Sequence, residues 1–279
     1  MKKIYDTETS FADLGDRKIA YRSYGKGTAI IFINRFRGTL DTWDPLFIKA
    51  MAKKFNVITF DYSGIGSSTG NLAPDIVLVA KDVKDLADAL KLDTAIVLGW
   101  SYGGLVAQAA TLLYPNLVTH AVLVGTNPPG KNEFPLEQVF LDHALKPIND
   151  FEDEVLLFFE PKSAFSLAAA KASHDRIYKN IDIQKIPSTM EVFQGYFNGG
   201  ESFREDILNF REQLKKTKTP ILIICGDHDI SFAVENWYAV FSQMTNAQMI
   251  VYSGTGHAPH HQYPELTSKS IINFVKHTY

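Results

Sequence analysis

Six short apolar runs recur along the chain with little polar alternation: AIIFI (29–33), NVITF (56–60), AIVLG (95–99), AVLVG (121–125), PILIIC (220–225) and AQMIVY (247–252). Each is about five residues long and rich in Ile and Val, the pattern of strands covered on both faces in a parallel sheet. Between two of them Val79, Val83, Leu86, Ala87 and Leu90 recur at spacings of three and four, which predicts an amphipathic helix. Leu266, Ile271, Phe274 and Val275 repeat that spacing near the C-terminus, with Pro264 suited to a first helical turn. Strand and helix in repetition predict a doubly wound α/β fold with a mostly parallel sheet.

The alternation stops between Pro128 and Lys216. That stretch contains no strand-like run, but it has helical patches (VFLDHAL, DEVLLFF, FSLAAAKAS) and many aromatics, among them Phe140, Phe158, Phe159, Phe193, Tyr196 and Phe197. It reads as a helical cap over one end of the sheet, residues 129–215, with residues 1–128 and 216–279 forming the core. Within the cap, GYFNGG (195–200) reads as a break between helices.

Composition narrows the classes. The 279 residues suffice for one large α/β domain or two modest ones, and 46% apolar with 21% charged residues is ordinary for a soluble chain with a sizeable core. A net charge of -3 offers no general field for nucleic acid or anionic lipid, so neither is expected as a partner. The lone Cys225 cannot form an internal disulfide, MKKIYDTETS lacks the apolar stretch of a secretory signal, and no run is long enough to span a bilayer. A cytoplasmic location is the expectation; oligomeric state is left open.

The candidate chemistry centres on GWSYGG, where Ser101 stands among Gly99, Gly103 and Gly104 between a predicted buried strand and a predicted helix. A sharp strand-to-helix turn would expose the hydroxyl at the sheet edge and aim a helix N-terminus at the reacting atom. So tight a turn leaves no room for a Cβ two residues before or after the serine. A serine attacks only if a base takes its proton. Candidate partners follow two later strands: Asp227 and Asp229 in GDHD, and His257, His260 and His261 in SGTGHAPHH. Loops at the C-terminal ends of parallel strands face one crevice, so the acid and the base would meet Ser101 there.

In the order serine, acid, histidine, the chain resembles the α/β-hydrolase fold superfamily over nearly its whole length. FDYSGIGSS is similar to that family's D-x-x-G-x-G-x-S loop, matched by Asp61, Gly64, Gly66 and Ser68. The resemblance assigns the acid to Asp229 and the base to His257, with Asp227 and His228 as loop residues that help orient Asp229. It implies an oxyanion hole from the backbone N–H groups of Phe36 and Tyr102. Two departures stand out. Asn34 and Arg35 occupy positions where the family usually has His-Gly, and Asn127 sits where some members hold an alternative acid. His260 and His261 read as surface or packing residues, and Cys225 as a small core residue.

The implied activity is that of a serine hydrolase of the carboxylesterase or lactonase type, working by two-step acyl transfer to water, with no metal or organic cofactor. The aromatic cap suggests a small or medium apolar ester or lactone as substrate. Trp100, Phe158, Phe159, Tyr196 and Phe197 are candidate substrate contacts. Arg35 and Arg37 flank the oxyanion loop, where arginines ordinarily form surface ion pairs; the alternative is that one, Arg35 foremost, meets a substrate carboxylate. The competing class is a ligand-binding receptor, or a cofactor-free oxygenase or peroxidase, on the same fold and triad.

Overall fold

The computed structural model describes residues 4–278. The chain opens with β1 (Ser10–Asp13) and β2 (Lys18–Gly25), followed by β3 (Ala29–Ile33), α1 (Pro45–Met51), β4 (Asn56–Phe60) and α2 (Ile76–Ala89). Next come β5 (Ala95–Trp100), α3 (Tyr102–Leu113) and β6 (Val118–Val124). Then follow five helices without a strand: α4 (Gln138–Ala144), α5 (Phe151–Phe158), α6 (Ala164–Ile177), α7 (Met190–Glu205) and α8 (Phe210–Lys216). The chain ends with β7 (Ile221–Gly226), α9 (Glu235–Phe241), β8 (Ala247–Tyr252), α10 (Pro259–Gln262) and α11 (Pro264–His277).

The eight strands form one sheet in the order β1-β2-β4-β3-β5-β6-β7-β8. From β4 to β8 every pairing is parallel; β2 pairs antiparallel with both β1 and β4. The chain steps outward from β3 to β4, then crosses back over β3 to lay down β5 on its other side. That reversal opens the crevice where doubly wound sheets bind ligands, and the loops after β3 and β5 both emerge there.

Strand residues alternate between two apolar layers. Ile31, Ile33 and Val97 join one cluster with Val79, Val83 and Leu86 of α2 and Val106 of α3. Ile30, Phe32, Ile96 and Leu98 face the other way, against Phe47 and Met51 of α1 and Ile271 and Phe274 of α11. Both faces are covered, which is why the runs lack a polar alternate residue. Helix starts follow side-chain chemistry: Asp75 accepts the Val77 N–H ahead of α2, and Asp150 and Asp153 form a reciprocal capping box at α5.

The expected break at GYFNGG is absent, since α7 runs unbroken from Met190 to Glu205. Its glycines serve close packing instead. A Cβ on Gly199 would lie 2.2 Å from the Tyr102 hydroxyl, and one on Gly195 would press on Leu72 at 3.2 Å. Contact with the core outweighs glycine's poor helix propensity. Among the described residues, no helix is long and apolar enough to cross a membrane.

Candidate active site

Ser101 is the last residue before α3 and sits at φ 60°, ψ −124°, a conformation that costs a non-glycine residue about 1–3 kcal/mol. The surroundings enforce it. Its N–H donates to Val124 O at 2.9 Å and its carbonyl accepts from Gly104 at 2.8 Å. A Cβ on Gly99 would meet Gly103 O at 2.1 Å, and one on Gly103 would meet Ile33 O at 2.0 Å. The glycines therefore let the start of α3 rest directly on the end of β3, not only on its own turn.

Asp229 and His257 arrive on the loops after β7 and β8. His257 Nδ1 and Asp229 Oδ2 are 2.7 Å apart, and both side chains are shut from solvent. The other Asp229 oxygen accepts the N–H groups of Ser231 and Phe232 at 2.8 and 2.9 Å. These two N–H groups fix the carboxylate, a task expected of Asp227 and His228. Asp227 instead accepts the Thr255 N–H at 3.3 Å, and His228 pairs with Glu160.

Gly125, which the sequence reading passed over, makes room for the pair. It lies at φ +49°, and a Cβ there would meet His257 O at 2.7 Å and Nδ1 at 3.0 Å. Its only signal was a glycine ending the β6 run. Phe158 stacks on the His257 ring at 6.3 Å and Phe232 packs on it at 5.7 Å.

Ser101 and His257 line the same small cavity, about 20 Å³, together with Arg35, Phe36, Phe140 and Phe158. This cavity is a neck between two larger chambers. Phe36, Ser101 and Phe140 also line a chamber of about 560 Å³, with Tyr196 and Phe197 in its wall. Arg35, Arg37, Asn149 and Phe158 also line one of about 510 Å³, with Trp100, Phe159 and His261 in its wall. All six candidate contact residues thus border one chamber or the other. Among the described residues, the N–H groups of Phe36 and Tyr102 have no hydrogen-bond acceptor.

The two arginines of the β3–α1 loop do not form the surface ion pairs that are usual for exposed arginines. Arg37, at φ 60°, is buried and donates to Ala144 O, Lys146 O, Pro147 O, Pro187 O and Asn149 Oδ1 at 2.7–3.0 Å. It pins the loop to the helical segment above. Arg35 lies with its guanidinium carbon 4.6 Å from the centre of the Phe158 ring and 5.2 Å from that of Trp100. Asn34 donates to Phe60 O at 2.6 Å, and Leu40 N–H donates to Asp61 at 2.7 Å. Burial pushes the Asp61 carboxyl up to about 7, even though two backbone N–H groups oppose the shift.

Trp100 donates its indole N–H to His257 O at 2.9 Å and packs on His260 and His261. Both histidines are buried, so of the two readings for them packing is the observed one. Cys225 is fully buried in β7. Asn127 is held by Gln108 and Asn236. Among the described residues, no three His, Cys, Asp or Glu side chains converge where a metal ion could sit.

The alpha/beta hydrolase fold family model matches residues 28–264. The chain belongs to that family. An alpha/beta hydrolase fold protein from Chitinophaga pinensis superposes with a TM-score of 0.87 at 24% identity, covering 99% of this chain and 100% of its own. A Haemophilus influenzae protein provisionally named an esterase/lipase is 24% identical over 88% of this chain and 82% of its own. A Synechocystis protein provisionally named a non-heme chloroperoxidase is 25% identical over 92% and 95%. The relatives of this alpha/beta hydrolase fold chain thus carry names from different reaction classes, and the site must decide between them.

Proposed function

We propose that the protein is a serine hydrolase that cleaves a carboxylic ester or lactone by two-step acyl transfer to water. The observation that carries this reading is the strained Ser101 sharing a neck with His257, whose far nitrogen is held by the buried Asp229. Ser101 attacks the carbonyl as His257 takes its proton, and Asp229 stabilises the imidazolium that forms. The unpaired N–H groups of Phe36 and Tyr102 receive the oxyanion, and water then repeats the sequence on the acyl-enzyme. Residues 129–215 serve as the cap, and their aromatics hold the apolar part of the substrate.

A panel of p-nitrophenyl esters and lactones tests the reading, with Ser101→Ala as the control. Turnover should vanish in the variant while its melting temperature holds, and a fluorophosphonate probe should label only the wild type. Labelling that persists in the variant, or a wild type inert toward the whole panel, would overturn it.

A further inference from the structure

The 510 Å³ chamber lies on the far side of the neck from the other large cavity, and one feature of its wall is unsatisfied. Arg35 has five N–H groups, and among the described residues only one finds an acceptor: Nη1 donates to Phe36 O at 2.7 Å. Nε is shut from solvent with no partner at all. No carboxylate lies within ion-pair distance of the guanidinium among the described residues. The acid that faces it across the chamber, Glu154, is already engaged through both oxygens, by His174 at 2.8 Å and by the Tyr178 hydroxyl.

Arg37 adds positive charge nearby, and its own donors are spent on backbone carbonyls and Asn149. Burial, and then the charge of Arg37, pull the Arg35 guanidinium down to about 10, so it stays charged at neutral pH in an unfavourable setting. An unpaired cation beside a mostly apolar chamber is complementary to one kind of ligand. The ligand is apolar along its length and ends in an anion.

We propose that the chamber binds a carboxylate borne by the substrate, received on the unspent Nη2 end of Arg35, with the reacting ester reaching Ser101 through the neck. The substrate class becomes a carboxylate-bearing ester or lactone, which deepens the hydrolase reading above and rests on it. A charge-assisted guanidinium–carboxylate hydrogen bond is the strongest polar contact this wall can offer. Phe158 and Trp100 flank the guanidinium with their ring faces. Arg35 then acts as a specificity determinant, and its place beside Phe36 links substrate selection to the loop that carries an oxyanion donor.

The test uses matched pairs of substrates that differ only in the charge. One pair carries the carboxylate on the acyl side, mono-p-nitrophenyl adipate against its methyl ester. The other carries it on the alcohol side, 6-butyryloxyhexanoate against its methyl ester. In at least one pair the acid should exceed the neutral ester in kcat/KM by about 10- to 100-fold, the range of one charge-assisted contact. Arg35→Met should collapse that ratio toward one, and Arg35→Lys should restore part of it.

A second measurement does not depend on turnover. Calorimetric titration of Ser101→Ala with 6-butyryloxyhexanoate and with mono-adipate esters should give tighter binding than their methyl esters, and Ser101→Ala/Arg35→Met should lose the difference. Equal treatment of acid and neutral ester in both pairs, or a preference that survives Arg35→Met, would sink the proposal while leaving the hydrolase reading intact. Absence of all turnover combined with charge-selective binding would sink the hydrolase reading alone.

Discussion

Asp229 and Asp227 stand two residues apart on one loop, yet only Asp229 touches the imidazole. Its second oxygen is satisfied by two backbone N–H groups, so the carboxylate is oriented from both ends. Asp229→Asn would present an amide in place of that acceptor and favour the wrong imidazole tautomer. We expect ester turnover to fall about 10⁴-fold, by analogy with other triads. Asp227→Asn weakens one long contact to Thr255 N–H and should leave turnover nearly unchanged. Steady-state rates on a p-nitrophenyl ester check both; a larger loss at Asp227 would reverse the assignment. In the sequence the choice came from the family resemblance, whose G-x-x-D pattern GDHD matches at Asp229; spacing alone leaves both aspartates open. The residues that aim the acid were not legible, since they act through backbone N–H groups that any side chain can carry.

Within α7, two adjacent glycines have opposite surroundings. A Cβ on Gly199 would collide with the Tyr102 hydroxyl at 2.2 Å, whereas one on Gly200 would meet nothing within 4 Å. Tyr102 is buried among Tyr62 and Tyr196 and cannot swing aside without disturbing them. Gly200→Ala should therefore stabilise the protein by about 1 kcal/mol, the ordinary helix-propensity gain. Gly199→Ala should destabilise it despite the same gain. Urea midpoints for the two variants check the pair, and equal shifts would mean that α7 does not pack as described. The same element marks where sequence reading fails: glycine weakens a helix locally, and only the partner across the gap reveals why it is there. β1 and β2 escaped notice for a related reason. They form the antiparallel edge, and only Ala12, Ile19, Ala20 and Tyr24 among their residues are buried, so no apolar run announces them. The inner strands were legible because both of their faces are covered.

Across the whole molecule, buried ionisable groups tie stability to pH in opposing directions. Burial lowers His261 from the ordinary histidine range to about 4, with nearby positive charge adding to the shift and Asp44 opposing it. Between about 6.5 and 4 the unfolded chain takes up the proton more readily than the folded one. The stability due to a neutral His261 is thus full above 6.5 and lost as pH falls through 4. Asp61, raised to about 7, works the other way: its contribution is full below about 4 and lost as pH rises through 7. The difference between wild type and variant isolates one group from the other. His261→Gln, which can still accept the Asp44 N–H, should flatten the loss of stability between pH 6.5 and 4 when urea midpoints are compared. An unchanged slope would show that His261 is not the group responsible.

Arg37 also bears on how such proteins can be recombined. Its charge originates in the core, but all five of its acceptors belong to the segment between β6 and β7. Grafting a foreign segment onto this scaffold would strand a buried cation unless the new chain turned its carbonyls to the same point. Deleting the arginine would instead orphan those carbonyls. The two parts therefore form a matched pair, and a graft should fold only when position 37 is exchanged together with residues 144–149 and 187.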